Sequence, residues 1–224
     1  KGENQMGILI RGGRVVDAAA QIDKIADVYL DDGVIQKVGE KLEAKDKDDK
    51  IIDANGLVVM PGLVDLHVHF RDPGQTEKED IETGSHAAAR GGVTTVVTMP
   101  NTTPVIDSPD RANYVKNKAA QVSAIHVLQA GAMTKGELGE ELSDIAGMAA
   151  AGVPVLSEDG KSVMKASLCK QAMEEAVKAG LPIFDHCEDM SLRGNGCMNE
   201  DENAKRLGLP GICNSTEDTI AARE

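Results

Sequence analysis

Aromatic residues are scarce in this chain, which has no Trp, two Phe and two Tyr among its 224 residues. Its hydrophobic residues make up 41% of the composition, so they are almost all aliphatic. An aliphatic core is typical of parallel α/β layers, in which the strands are buried on both faces. The composition therefore favours an α/β fold class, with one good-sized domain or a domain plus a smaller one.

Long apolar runs and excess positive charge are also missing. No run approaches the ~18 residues that a membrane-spanning helix needs, and residues 1–6 lack the apolar core of a signal peptide. The net charge of −13 argues against nucleic acid and anionic membranes as partners. The four Cys have neither a disulfide-framework spacing nor a Cys-x-x-Cys pair, so we interpret them as reduced thiols of a cytoplasmic protein.

The first 60 residues contain short segments that predict β-structure. Asp32-Gly33 lies between two apolar runs and predicts a hairpin turn. Further strands are predicted at residues 8–10, 15–16, 51–53 and 57–60. We therefore predict that residues 1–60 form a small β-sandwich-like domain.

After Pro61 the pattern changes to an alternation of strands and helices. Strands are predicted at residues 63–70, 93–98, 123–129, 153–156 and 182–185. Helices are predicted at residues 76–90, 109–121, 137–150 and 162–179, with a last one beginning near residue 215. The first helix start rests on a Thr76/Glu79 capping box and the second on Ser108 followed by Pro109.

Repeated strand-helix units imply parallel strands joined by right-handed crossovers. An open doubly wound sheet and a (β/α)8 barrel both fit this rhythm. No Gly-x-Gly-x-x-Gly follows any predicted strand, which disfavours a dinucleotide-binding fold. Because a full TIM-type barrel has eight units in about 250 residues, we predict that residues 61–224 are the N-terminal part of a (β/α)8 barrel, with about five units present.

The first strand of this barrel carries two histidines on one face. Residues 64–74 read V-D-L-H-V-H-F-R-D-P-G, and side chains alternate along a strand, so His67 and His69 point the same way about 7 Å apart. Two imidazoles at this spacing can hold Zn²⁺. Two histidines in a buried strand are the alternative, but each ring would then need its own hydrogen-bonding partner. We therefore predict a zinc site of one or two ions.

Polar residues also follow the other predicted strands. In a parallel barrel, the active site lies at these C-terminal ends of the strands. Either Glu158 or Asp159 could supply a carboxylate after the fourth strand, and the pattern leaves that choice open. His186 after the fifth strand is a better ligand than Cys187, whose side chain should face the opposite way.

Two further residues at these strand ends suit an anionic, amide-bearing substrate. Arg71 can bind a carboxylate with two parallel hydrogen bonds, and the amide of Asn101 can both donate and accept.

Together these motifs resemble the bacterial dihydroorotases of the amidohydrolase superfamily. The resemblance is carried by residues 65–74 with residues 98–102, and residues 157–160 and 185–189 match in the same order. His-x-His alone indicates only an amidohydrolase, whereas Arg-Asp-Pro-Gly with Met-Pro-Asn-Thr is typical of dihydroorotases. The resemblance covers essentially the whole chain.

The resemblance implies a role for each matching residue. His67 and His69 would bind a first metal, Asp159 would be shared by two metals, His186 would bind the second, and Arg71 and Asn101 would bind the substrate carboxylate. The implied reaction is the reversible cyclisation of N-carbamoyl-L-aspartate to L-dihydroorotate in pyrimidine synthesis. A further histidine ligand and the aspartate that acts as general base are expected beyond Glu224.

Two other functions compete with this one. A hydantoinase or allantoinase shares much of the motif, but usually bridges its metals with a carboxylated lysine. A non-catalytic dihydroorotase-like partner of aspartate transcarbamoylase would not need metal ligands. The expected partners are a small-molecule substrate, a second copy of the chain in a homodimer and, in some relatives, aspartate transcarbamoylase.

Overall fold

The computed structural model of the chain describes residues 6–224. Residues 1–5, on which most of the signal-peptide argument rests, lie outside the described residues. The chain forms two compact units, the first ending at Gly62 and the second beginning at Leu63. Among the helices of residues 6–224, none has the length and apolar character needed to cross a bilayer.

The first unit is built on one five-stranded sheet. Its strands are β1 (Ile8–Asp17), β2 (Ile22–Asp31), β3 (Val34–Gly39), β4 (Lys50–Asp53) and β5 (Val58–Val59). The order is β3-β2-β1-β4, and β5 also pairs with β1. Strand β2 is antiparallel to both β1 and β3, whereas β4 and β5 run parallel to β1. A sandwich-like arrangement of this domain stays a prediction.

The hairpin prediction in this unit is confirmed, but the predicted break near Gly12 is wrong. Asp32 and Gly33 join β2 to β3 with φ values of 50° and 71°, the left-handed conformations of a two-residue hairpin turn. Strand β1 continues through Gly12 and Gly13, where its register against β2 shifts as in a β-bulge. The freed amide of Gly12 donates to Asp27 Oδ1 at 2.8 Å.

The second unit alternates strands and helices. Its strands are β6 (Leu63–Val68), β7 (Val93–Thr98), β8 (His126–Gln129), β9 (Gly131–Ala132), β10 (Leu156–Ser157), β11 (Ile183–Phe184), β12 (Met198–Asn199) and β13 (Gly211–Ile212). Its helices are α1 (Ile81–Arg90), α2 (Pro109–Val122), α3 (Ile145–Ala150), α4 (Ala166–Ala179), α5 (Met190–Arg193), α6 (Glu202–Leu207) and α7 (Ser215–Arg223), with a 3₁₀ turn at Lys135–Glu137.

The strands β6 to β11 form two sheets, in each of which the strands follow chain order and every pairing is parallel. One sheet has the order β6-β7-β8 and another β9-β10-β11. Only Ala130 separates β8 from β9, and its amide donates to Thr98 O of β7 at 2.9 Å. The mixed α/β fold predicted from the sequence is thus confirmed, while the count of five barrel units and the closure of a barrel stay predictions.

The core of this unit is aliphatic, as the lack of aromatic residues requires. Its fully buried members include Ile81, Val96, Ile106, Val115, Met148 and Leu156. They come from helices, from the parallel strands and, for Ile106, from the segment between β7 and α2, so the core is packed by Ile, Val, Leu and Met side chains. This packing sets the strand ends side by side.

The predicted start of α1 is wrong by one turn. The helix begins at Ile81, and Asp80 is its N-cap, with its carboxylate accepting from the Thr83 amide at 2.8 Å. Asp is as good an N-cap as Thr. Glu79 accepts from the Asp80 amide at 3.1 Å instead of closing a box with Thr76.

The helix predicted over 137–150 is also wrong in its first half. Gly136, Glu137 and Gly139 have φ values of 60°, 52° and 69°, which no right-handed helix contains. The helix begins only at Ile145, where the Asp144 side chain accepts from the Gly147 amide at 2.9 Å. The Asp144 cap therefore determines where the helix begins, although the sequence predicted a start at residue 137.

Two later boundaries differ as well. Helix α4 begins at Ala166 rather than 162, because the Ser162 hydroxyl donates to His186 O and accepts from the Glu188 amide. The stretch 189–214, for which the sequence predicts a long loop and no strand or helix, contains α5, β12, α6 and β13. The last helix begins at Ser215, as predicted.

Candidate metal centre

Strand β6 is bulged at His67, and His69 follows the last residue of this strand. Asp65 faces Val96 of β7 but Val68 faces Thr98, so β6 has one extra residue between these pairs. A bulge leaves an amide without a ladder partner. The His67 amide donates instead to Asp65 Oδ1 at 3.1 Å. Asp65, which the sequence placed only on the polar face, therefore supports the bulge.

Three of the predicted ligands lie together. The ligand atoms of His67, His69 and Asp159 are all within 4.8 Å of one another. His67 Nε2 is 3.2 Å from Asp159 Oδ1, and His69 Nε2 is 3.5 Å from Asp159 Oδ2. Two ligands of one tetrahedral zinc, each bound at about 2.05 Å, are about 3.3 Å apart. The spacing of the donor atoms and their chemistry therefore fit zinc.

The structure distinguishes the two neighbouring carboxylates that the sequence left as alternatives. Asp159 is buried and lies beside both histidines. Glu158 Oε2 accepts from the amides of Met133 and Thr134, each at 3.0 Å, and its Oε1 accepts from the Thr134 hydroxyl. Burial raises the pKa of Glu158. Glu158 thus ties the segment before Asp159 to the end of β9.

Asn101 joins three of the predicted site residues. Its Nδ2 donates to Asp159 Oδ2 at 2.5 Å, and its Oδ1 lies 3.1 Å from His69 Nδ1 and 3.4 Å from an Arg71 nitrogen. Because Oδ1 only accepts, His69 must carry its proton on Nδ1, which leaves Nε2 free as a ligand atom. Burial lowers the pKa of His69, so the ring is neutral, as metal binding requires. The sequence indicated only a substrate contact for Asn101.

Arg71 lies beside this group, although not as a continuation of the strand. Its φ is 57°, in the left-handed region, so the alternation of an extended strand no longer decides where its side chain points. The guanidinium nevertheless comes near Asn101, within reach of the predicted metal ligands.

His186, the fourth predicted ligand, follows β11 and is not in the three-residue group found among residues 6–224. Its Nδ1 is buried and has no hydrogen-bond partner there. An unpaired buried nitrogen is costly, and a metal ion would satisfy it. Cys187 Sγ lies 3.0 Å from Asp185 Oδ2, where the thiol donates to the carboxylate.

Glu137 is a buried acid that the sequence analysis missed. Its side chain extends from the 3₁₀ turn, and Oε1 has no hydrogen-bond partner among the described residues. Burial, followed by the negative charge of Glu158, raises the pKa of Glu137 to about 8. Gly136 and Gly139, on either side of Glu137, were the available signal that this segment is not helical.

The chain is similar in sequence to known dihydroorotases. A family model described as "Dihydro-orotase-like" matches residues 56–224. Dihydroorotase from Clostridioides difficile is 48% identical over 97% of this chain and 51% of that protein. Dihydroorotase from Citrifermentans bemidjiense is 46% identical over 98% of this chain and 51% of that protein. The chain thus spans about half the length of the curated relatives it matches.

Solved structures with a similar fold include two hydantoinases. The L-hydantoinase of Arthrobacter aurescens superposes with a TM-score of 0.73 at 23% identity, over 96% of this chain and 49% of that one. A D-hydantoinase from Thermus sp. gives 0.71 at 26% identity, over 96% and 48%. These similarities agree with the mixed α/β fold.

Proposed function

Because the chain belongs to the dihydro-orotase-like family, we propose that it contributes the metal- and substrate-binding residues of a zinc-dependent dihydroorotase. In the forward direction, ring closure of N-carbamoyl-L-aspartate joins the carbamoyl nitrogen to a carboxyl carbon and releases water. The reverse reaction adds water across the same bond of L-dihydroorotate. The meeting of His67, His69 and Asp159 beside Asn101 is the observation that carries this proposal.

The proposed ligands have the charges that zinc needs. His69 presents neutral Nε2, since Asn101 takes the proton-bearing side of the ring. The two oxygens of Asp159 lie against different histidines, so one carboxylate can serve one ion or two. His186, with its unpaired Nδ1, is the proposed ligand of a second ion. Bound zinc would supply Lewis acidity, which activates water at neutral pH and polarises the amide carbonyl.

Arg71 and Asn101 are proposed to bind the substrate carboxylate. The contact between them is long, at 3.4 Å, so the guanidinium keeps donors available for a bidentate pair with a carboxylate. Asn101 orients the substrate and also holds His69 and Asp159. The general-base aspartate and one more histidine ligand are expected beyond Glu224, so these residues bind and orient while another group transfers the proton.

We also propose that residues 61–224 supply about five units of a (β/α)8 barrel and that residues 1–60 form a separate β domain. The parallel order β6 to β11 supports the first point. We further propose a cytoplasmic homodimer acting on a small molecule, with aspartate transcarbamoylase as a second candidate partner.

A hydantoinase or allantoinase is the second candidate, because the solved structures with this fold include hydantoinases. Their identity to this chain is low, whereas the dihydroorotases reach 48%. Asp159 stands where the hydantoinase motif usually has a carboxylated lysine. A non-catalytic partner of aspartate transcarbamoylase is disfavoured, since a scaffold needs no cluster of His67, His69 and Asp159.

One experiment separates these functions. The native protein that carries this chain is purified, its zinc content is measured, and ring opening is assayed on dihydroorotate, hydantoin and allantoin. We expect stoichiometric zinc and turnover of dihydroorotate alone. Turnover of hydantoin or allantoin in preference would establish the second candidate, and a protein that purifies without zinc and without activity would support the scaffold.

A further inference from the structure

A buried carboxylate with two partly exposed partners lies next to the candidate metal centre but is not part of it. Asp72 follows Arg71 and is only 3% exposed. The Tyr114 hydroxyl donates to its Oδ1 at 3.0 Å, and Lys118 Nζ lies 2.5 Å from its Oδ2. Tyr114 and Lys118 are four residues apart on α2, so they present both donors from one face of that helix.

The pairing compensates for the cost of burying the Asp72 carboxylate. An unpaired buried carboxylate is strongly unfavourable, and removal of one partner from such a pair is destabilising. The close Asp72 carboxylate raises the pKa of Lys118, so the lysine stays charged and the two form an ion pair. The position of residue 72 is therefore tied to helix α2.

A second set of contacts holds the other end of the same loop. The Thr103 amide donates to Pro73 O at 3.1 Å, and Gln75 Nε2 donates to Thr103 Oγ1 at 3.1 Å. Gly74 has φ of 87°, and a Cβ at this position would lie 1.7 Å from Thr103 O. The loop after β6 is thus bound to the segment after β7, which also carries Asn101.

Arg71 directly precedes these two anchors and has a backbone conformation that is disfavoured for residues with a side chain. Left-handed backbone is uncommon for residues other than Gly and persists where the surroundings enforce it. Asp72 is fixed to α2 on one side, and the Gln75 amide donates to Arg71 O at 2.9 Å on the other. These contacts account for a backbone that would otherwise relax.

We propose that Asp72, Tyr114 and Lys118 are positioning residues, which hold Arg71 in its left-handed conformation and so keep its guanidinium beside Asn101. This inference rests on the proposed function, because it takes Arg71 as the ligand of the substrate carboxylate. The cluster would act on substrate affinity and leave the metal ligands unchanged.

The test uses Lys118→Met and Tyr114→Phe in the native, zinc-loaded protein, with Lys118→Arg to restore the charge. Lys116→Met is the matched control, since Lys116 is exposed on the same helix. We expect Lys118→Met to raise KM for dihydroorotate by roughly 10-fold, the usual worth of a hydrogen bond to a charged group, with kcat and zinc content unchanged. Arg71→Lys shows the size of the effect when the proposed bidentate contact with the substrate carboxylate is lost.

Amide hydrogen exchange of residues 70–75 gives a readout that does not depend on turnover. We expect faster exchange in Lys118→Met, a smaller increase in Tyr114→Phe, and protection restored in Lys118→Arg. If Lys118→Met does not fold, Tyr114→Phe and Asp72→Asn carry the same comparison.

The outcomes separate this inference from the proposed function. Unchanged KM and unchanged exchange in the variants would overturn the inference. A fall in kcat and in zinc content together with a raised KM would also overturn it, because that result indicates a merely structural role. A zinc-loaded wild-type protein that does not open dihydroorotate would overturn the proposed function. The exchange data would then still decide whether the cluster holds the loop of Arg71.

Discussion

Several residues at the candidate metal centre have more than one partner, and Asp159 has three. Its two oxygens face His67 and His69, and one also accepts from Asn101. Removal of its carboxylate would leave two imidazole rings with no negative charge beside them to balance a divalent cation.

We therefore predict that Asp159→Ala abolishes zinc retention and lowers turnover by more than ~100-fold, since the loss of even an outer-shell partner costs 10- to 100-fold. Zinc content after dialysis and kcat on dihydroorotate provide the measurement. Asp159→Asn, which keeps the size and the hydrogen bond acceptor, is the control for packing. Full zinc and near-normal kcat in Asp159→Ala would show that Asp159 is not a ligand.

Glu137 predicts a pH dependence of stability. Its pKa is raised from an ordinary value of 4.5 to about 8, so between these values the folded state holds a proton that the unfolded state has lost. The free energy of unfolding should therefore fall as the pH rises through this interval. The stabilisation that comes from protonated Glu137 is complete below the lower pKa and lost above the higher pKa.

Glu137→Gln should remove this decline, since the amide is neutral at every pH. Urea unfolding across the interval provides the measurement, and Glu140→Gln is the control, because Glu140 is exposed three residues away. The expected result is a flatter pH profile only for the Glu137 variant. Equal profiles for wild type and Glu137→Gln would show that the folded protein does not hold that proton.

At the scale of elements, the loops after β6 and β7 behave as one structure. The Thr103 amide and side chain bind the first loop, and Asn101 extends from the second toward Asp159. The bulge in β6, which Asp65 supports, includes His67 and directly precedes the first of these loops. A change in either loop should therefore disturb the site.

Gly74→Ala tests this coupling. The new Cβ would meet Thr103 O at 1.7 Å, so we expect destabilisation of roughly 1–3 kcal/mol, typical of strain at a special backbone position, together with a raised KM for dihydroorotate. Gly92→Ala is the matched control, because Gly92 has φ of 84° and open space around it. Similar losses in both variants would mean that backbone conformation alone, and not the contact with Thr103, accounts for the effect.

At the scale of the whole molecule, β6 is an open edge among the described strands. It pairs with β7 on one side, and its apolar residues Leu63, Val64 and Leu66 are 49%, 58% and 52% exposed. Parallel strands normally have cover on both faces, and exposed apolar edges promote association.

We therefore predict that a polypeptide of residues 1–224 self-associates in solution and, without the expected general base, does not open dihydroorotate. Size-exclusion chromatography and a turnover assay provide the measurements. Leu66→Lys, which places a charge on the edge, should shift the protein toward the monomer. A monodisperse monomer with normal turnover would contradict both parts of this prediction.

The elements of the fold could be predicted from the sequence wherever local signals were unopposed. The Asp32-Gly33 turn and the helix start at Ser215 depend on residues within one turn of chain, and both occur as predicted. Predicted helix starts failed at α1 and α3 because Asp80 and Asp144 were competing caps close by. Sequence alone does not rank two good caps a few residues apart.

By itself, the sequence predicted that His67 and His69 reach one site, because side-chain alternation is a property of the extended backbone. They do so although β6 is bulged at His67 and ends at Val68. Only the tertiary structure decided that Asp159 and not Glu158 meets them, since Asn101 and Asp159 are 58 residues apart in the chain. It alone also showed the Asp72 cluster and the left-handed Arg71. Alternation is set by neighbouring residues, whereas the partners of a carboxylate depend on how distant strand ends pack together.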